Sequence, residues 1–89
     1  MEVIHDIENQ KFYAIVDGLE SHLEYVKRDK VLNLNHTYVP NELRGKGIAG
    51  KLVEAALTFV QENKLKIIPS CSYVAEYIRR HKEYEELLA

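Results

Sequence analysis

The sequence predicts an α+β domain on three observations: alternating segments up to residue 40, a change to helical period at Ile48, and a short apolar segment beyond that helix. The alternation is broken at Asn9-Gln10, Asp17-Gly18 and Arg28-Asp29-Lys30, turn chemistry that leaves no room for helices in between. Four antiparallel strands are therefore expected near residues 3–8, 12–16, 21–27 and 31–39. In the second, Phe12, Ala14 and Val16 share a face. In the fourth, strict alternation puts Leu32, Leu34, His36 and Tyr38 on one face, with Asn33, Asn35, Thr37 and Val39 opposite.

Pro40 ends that strand. Ala49, Leu52, Val53, Ala56, Leu57 and Val60 then recur at the spacing of an amphipathic helix whose other side carries Lys51, Glu54, Thr58, Gln61 and Glu62. Asn63 is the expected left-handed terminator. Residues 65–69 read as a short buried strand, parallel to the fourth because a helix connects the two in a βαβ crossover. Ser72 is the expected cap of a second main helix in which Tyr73, Val74, Tyr77 and Ile78 face inward, with residues 83–89 as a continuation or fraying end. The chain reads as one domain over residues 1–89.

Charge and composition exclude several functions. A net charge of −2 and a pI near 6.1 give no global basic field, so nucleic acid is not an expected partner. No apolar run approaches the roughly 20 residues of a membrane span. A lone Cys71 allows no internal disulfide, and the first ten residues lack the basic start and apolar run of a signal peptide, which suggests the cytoplasm. His5, His22, His36 and His81 lie far apart with no H-x-x-x-H or C-x-x-C pair, so no metal is expected.

Most of the chemistry lies in Arg44-Gly45-Lys46-Gly47-Ile48-Ala49-Gly50-Lys51, which joins a strand to a helix. Free amides and the positive end of the helix dipole attract an anion there, and glycines let the backbone approach phosphate oxygens. As G-x-G-x-x-G the segment lacks the acidic residue a dinucleotide fold needs at the end of the next strand, which here reads Ile67-Ile68-Pro69-Ser70-Cys71. As a P-loop it fails at Leu52, where a hydroxyl must hold magnesium.

The third reading fits better. Val39-Pro40 followed by Leu43-Arg44-Gly45-Lys46-Gly47-Ile48-Ala49 resembles the R/Q-x-x-G-x-G/A signature of the GNAT acetyltransferases. With His36-Thr37-Tyr38 before it and Cys71-Ser72-Tyr73-Val74-Ala75-Glu76-Tyr77 after it, the chain looks like the short stand-alone GNAT-like domains of the YjdJ type. The resemblance implies a minimal GNAT-like fold and acetyl-coenzyme A as the acyl donor. It implies a pyrophosphate site at Arg44, Gly45, Lys46, Gly47, Ile48, Ala49 and Gly50. The pantetheine arm would lie between the fourth and fifth strands, bonded to the backbone of Tyr38 and Val39, and the acetyl group would sit near His36 or Thr37 and Cys71.

His36 and Cys71 are the catalytic candidates. Imidazole is the side chain that ordinarily exchanges protons near neutrality, which suits a base, but a half-buried strand histidine is an equal reading. A helix entrance lowers a thiol's pKa, which suits a nucleophile, but a small apolar core residue is an equal reading for Cys71. Family members wall the acceptor site with two helices after the first strand, and only Asn9-Gln10 stands there. Many also protonate the departing thiolate with a tyrosine whose position falls on Arg79, leaving Tyr73, Tyr77 and Tyr84 as substitutes. Arg79-Arg80-His81-Lys82 reads as a solvated helix end or as a contact for the ribose phosphate of coenzyme A. The expected function is N-acetyl transfer to a small acceptor, with an acetyl-cysteine as one route. The alternatives are a non-catalytic acyl-coenzyme A sensor and a nucleotide-binding P-loop fragment.

Overall fold

A computed structural model describes residues 1–89. Four strands run as an antiparallel meander: β1 (Ile4–Asp6), β2 (Lys11–Val16), β3 (Leu19–Arg28) and β4 (Val31–Tyr38). A 3-10 turn at Asn41–Leu43 leads to α1 (Ile48–Glu62), which returns the chain to β5 (Lys66–Ile68), parallel to β4 at the sheet edge. Then come α2 (Ser72–Arg80) and a 3-10 segment at Lys82–Leu87. The antiparallel meander, the parallel fifth strand and the two main helices match the fold read from the sequence.

Local chemistry accounts for the joints. Asp17 and Gly18 both take positive φ, 53° and 76°, the backbone of a tight hairpin turn for which Asp-Gly is suited. Helix α1 ends in a Schellman arrangement: the Leu65 amide donates to the Val60 carbonyl at 2.9 Å and the Lys64 amide to Gln61 at 3.3 Å. The left-handed residue is Lys64, at φ 56°, and not Asn63; the Asn63 side-chain amide instead donates to the Phe59 carbonyl at 2.8 Å.

One face of α1 meets one face of the sheet. Leu52, Val53, Ala56, Leu57 and Val60 pack over Phe12, Ala14, Leu23, Tyr25, Leu32, Leu34 and Ile67. Helix α2 adds Val74 and Ile78, while Tyr77 is half-buried and Tyr73, expected inward, is exposed. The other face of the sheet carries no helix and presents Ile15, Val26, Tyr38 and Ile68 to solvent.

Two departures from the sequence reading shape the molecule. Glu24 pairs with His36 while its neighbour Tyr25 pairs with Leu34, so Asn35 is an extra residue in β4, a β-bulge. The bulge inverts the alternation. Leu32 and Leu34 face α1, but beyond Asn35 it is Thr37, opposite buried Leu23, that faces in, and His36 and Tyr38 turn out. The second departure is the tail. Residues 83–89 neither extend α2 nor fray: Leu87 is buried, Leu88 bridges Ile67 in parallel, and the Ala89 amide donates to the Ile67 carbonyl at 2.9 Å.

Candidate functional site

Beyond Leu34, β4 and β5 diverge. Pairing joins only Val31, Leu32 and Asn33 to Lys66, Ile67 and Ile68, and the last link is the Cys71 amide donating to the Leu34 carbonyl at 2.9 Å. Past that point a cleft of about 490 Å³ lies between Thr37 and Val39 on one side and Cys71 and Tyr73 on the other, with the glycine turn at its mouth.

The register fixes which backbone groups face this cleft. The Tyr25 amide donates toward β2, to the Gln10 carbonyl at 3.0 Å, so along β3 the groups of Leu23 also point to β2 and those of His22 and Glu24 point to β4. Thr37, opposite Leu23, therefore turns its own backbone away from β3 and into the gap, and by the same alternation so does Val39. Tyr38, opposite His22, turns its backbone to β3, so of the residues expected to face the gap Val39 does and Tyr38 does not, while Thr37 does in its place. The Val39 carbonyl accepts from Arg44 Nε at 3.1 Å, which folds the turn back over the end of β4.

Gly45 and Gly47 need to be glycine for conformation rather than space: φ is 83° and 78°, and nothing lies within 4 Å of an added Cβ. Gly47 is the N-cap of α1 and supplies no capping side chain, and the first turn holds no acid. None of the turn, loop or side-chain hydrogen bonds uses an amide of residues 45–50. A run of free donors thus meets the positive end of a 15-residue helix. Gly50 differs. It lies inside α1 beneath α2, where an added Cβ would stand 3.6 Å from the Tyr73 hydroxyl. Ile48 and Ala49 line the cleft; Lys46 is exposed outside its lining, and Lys51 lines a hollow on the other side of α1, with Glu54.

Cys71, not Ser72, occupies the N-cap of α2, and no side-chain hydrogen bond caps that helix. Its sulfur stands 3.3 Å from Thr37 Oγ1. Burial pushes the thiol up, but the Thr37 hydroxyl and the amides of Val74, Tyr73 and Thr37 outweigh it, so the net position is below the ordinary thiol value. Cys71 is half-buried, packed against the edge of the core with its sulfur at the cleft.

His36 and Tyr38 lie on the opposite, open face of the sheet. There Glu24 is directly across from His36, and His22 is across from Tyr38 with its ring centroid 5.8 Å from that of His36. The structure therefore brings the turn, Thr37, Val39 and Cys71 together, and separates His36 and Tyr38 from them by the thickness of the sheet. Of the candidate tyrosines, only Tyr73 lines the cleft; Tyr77 stacks on His81 with centroids 4.1 Å apart. Arg79 and Arg80 both pair with Glu76, whose carboxyl they draw down to about 2, so the two arginines are engaged within their own helix. Sequence reasoning missed the inward turn of Thr37 and the partnership of His22 and Glu24 with His36. An insertion in one strand carries no compositional signal, and the partners are far apart in the chain.

A meander closed by a parallel strand that peels away beside a glycine turn defines an α+β domain of the acetyltransferase type. Comparison with known proteins agrees. The GCN5-related N-acetyl-transferase family matches residues 11–87. Protein NATD1 of Homo sapiens and of Gallus gallus are each 35% identical over 85 residues, covering 91% of this chain and 74% and 76% of theirs. A GCN5-like candidate N-acetyltransferase from Staphylococcus aureus, solved by NMR, superposes with a TM-score of 0.76 at 32% identity, over 99% of this chain and 87% of its own. This chain belongs to the GCN5-related N-acetyltransferase family. No helix in it is long and apolar enough to cross a membrane.

Proposed function

We propose that the protein binds acetyl-coenzyme A in the β4–β5 cleft and transfers the acetyl group to an amine. The observation that carries this reading is the run of free amides over residues 45–50, uncapped and aimed with a helix dipole at the mouth of a cleft. These residues fit a diphosphate: Gly45, Gly47, Ile48, Ala49 and Gly50 offer backbone donors, and Arg44 and Lys46 add charge. Beyond them the outward backbone of Thr37 and the amide of Val39 offer an extended chain the hydrogen bonds of a missing strand.

Bound acetyl-coenzyme A supplies an activated thioester carbonyl. Cys71, with thiolate character and Thr37 beside it, is the nucleophile that takes the acetyl group, and the Tyr73 hydroxyl at the cleft is the candidate proton donor for the departing thiol. An amine entering through the gap from the open face attacks the acetyl-cysteine, His36 takes the amine's proton, and the Cys71 thiolate is restored; His36 then releases its proton to water and Tyr73 regains one from water, which closes the cycle. Because β4 above Asn35 has no neighbour on its far side, groups on both faces of the sheet can serve one reaction.

A second reading, an acyl-coenzyme A sensor, is favoured by the bare turn between β1 and β2, which sets no wall around an acceptor. Titration of acetyl-coenzyme A, coenzyme A and ATP against labelled protein, followed by intact mass, separates the possibilities. Transfer requires shifts centred on residues 45–50 with the first two ligands only, an acetyl adduct lost in Cys71→Ser, and turnover lost in His36→Ala with binding kept. Binding without adduct or turnover supports the sensor, and magnesium-dependent ATP binding sinks both.

A further inference from the structure

The bulge at Asn35 that turns Thr37 inward also turns His36 outward, and on the open face it meets two side chains of β3. The ligating atoms of His22, Glu24 and His36 all lie within 4.8 Å of one another. His22 and Glu24 are two residues apart on one strand, the spacing that puts both on one face, and His36 is the cross-strand partner of Glu24. No helical H-x-x-x-H spacing is needed when a sheet supplies the geometry.

One nitrogen of His22 is engaged outside this group and the other faces into it. His22 Nδ1 lies 3.2 Å from Glu20 Oε2, whose other partner is Lys11 Nζ at 2.9 Å. With Nδ1 donating to Glu20, the free His22 Nε2 lone pair faces Glu24 Oε2 at 3.6 Å, too long for a hydrogen bond. The His36 imidazole faces the same space. Two imidazoles and a carboxylate thus converge with no hydrogen bond among them, an arrangement that a cation would satisfy. A carboxylate that fixes the far nitrogen of a histidine, here Glu20, is the second layer that metal-binding histidines ordinarily have.

We propose that His22, Glu24 and His36 form a binding site for a zinc-type divalent cation on the open face of the sheet. Two imidazoles and one carboxylate are the donor set such ions take, and they leave a coordination position facing water. Around a tetrahedral ion with bonds of roughly 2.0 Å the donors sit about 3.3 Å apart. Rotation of the exposed Glu24 and His36 side chains closes the remaining distance, while His22 is held by Glu20. One consequence rests on the acetyl-transfer reading: a cation on His36 removes the lone pair that accepts the amine's proton, so metal blocks transfer without displacing coenzyme A.

The test is direct titration of the full reduced chain with Zn2+ by calorimetry and with Co2+ by visible absorbance, in wild type, Cys71→Ser, His22→Gln, His36→Gln and Glu20→Gln. Expected are one equivalent bound in wild type and Cys71→Ser alike, with the visible bands of imidazole-bound cobalt. Affinity should fall at least about tenfold in each histidine variant and by roughly 10- to 100-fold in Glu20→Gln. Zinc should also move the imidazole nitrogen resonances of His22 and His36 and leave those of His5 and His81 in place, a readout that needs no variant to fold. The proposal is overturned by no saturable binding, by affinity unchanged in the histidine variants, or by binding lost in Cys71→Ser. Transfer measured in chelator remains independent of all these outcomes, so failure of the metal site and failure of the transferase reading are distinguishable.

Discussion

Strand β4 has two halves that do opposite work. Its first half buries Leu32 and Leu34 completely and has a neighbour on each side, β3 and β5. Its second half, after Asn35, keeps β3 but has lost β5, and its side chains change faces. One residue inserted between them converts a strand that stabilises into one that presents backbone groups, a hydroxyl and an imidazole. The lesson is that cost and use are segregated along a single element: side-chain burial is concentrated below the bulge and open backbone hydrogen-bonding capacity above it.

Substitutions on either side of Asn35 sharpen that contrast. Leu32→Ala, in the paired half, should lower unfolding stability by about 3 kcal/mol, as deletion of a fully buried leucine side chain does, leaving coenzyme A affinity of the folded protein unchanged in urea melts and calorimetry. Gly47→Ala, at the cleft mouth, forces a side chain into left-handed backbone. It should cost roughly 1–2 kcal/mol or else distort the turn, and coenzyme A should bind about tenfold more weakly.

Thr37→Val, in the diverging half, should change stability by less than about 1 kcal/mol but alter the thiol. Because the Cys71 pKa lies below its ordinary value, alkylation by iodoacetamide should reach half its maximal rate at a lower pH than for a free cysteine. Removing the Thr37 hydroxyl, which favours the thiolate, should move that midpoint upward. Midpoints that coincide in the two proteins would show that the pair at 3.3 Å has no electrostatic consequence. Smallest in its effect on the ligand, Gly50→Ala should keep the coenzyme A affinity and stabilise α1 by at most about 1 kcal/mol, since the backbone amide remains and the new methyl meets only ordinary contacts; a large loss of affinity would show that the phosphate also needs a bare Cα there.

What the sequence made legible follows the same division. Periodicity located β2, β3, β4 and α1, because each buries a regular face, and the turn residues and the helical crossover located β1 and β5, although β5, expected to be buried, buries only Ile67 at the sheet edge. Glycine and charge spacing located the turn, because its conformation demands those residues. The faces of His36, Thr37 and Tyr38 were not legible: Leu32-x-Leu34-x-His36-x-Tyr38 alternates without a break, and the extra residue appears only as a mismatch against β3. Tyr73 was read as core because helical spacing assigns a side and not what covers it. His22 and Glu24 went unnoticed since their partner comes from another strand.

The tail beside β5 bears on behaviour in concentrated solution. A parallel strand at a sheet edge offers a row of unpaired amides and carbonyls to any other chain, the usual start of stacking into fibrils. Leu88 and Ala89 occupy Ile67 on that edge, while Lys66 anchors the same segment through the Glu86 carbonyl at 2.6 Å. Shortening the chain by residues 86–89 should therefore turn a monodisperse preparation into one that aggregates with time, at a rate set by protein concentration.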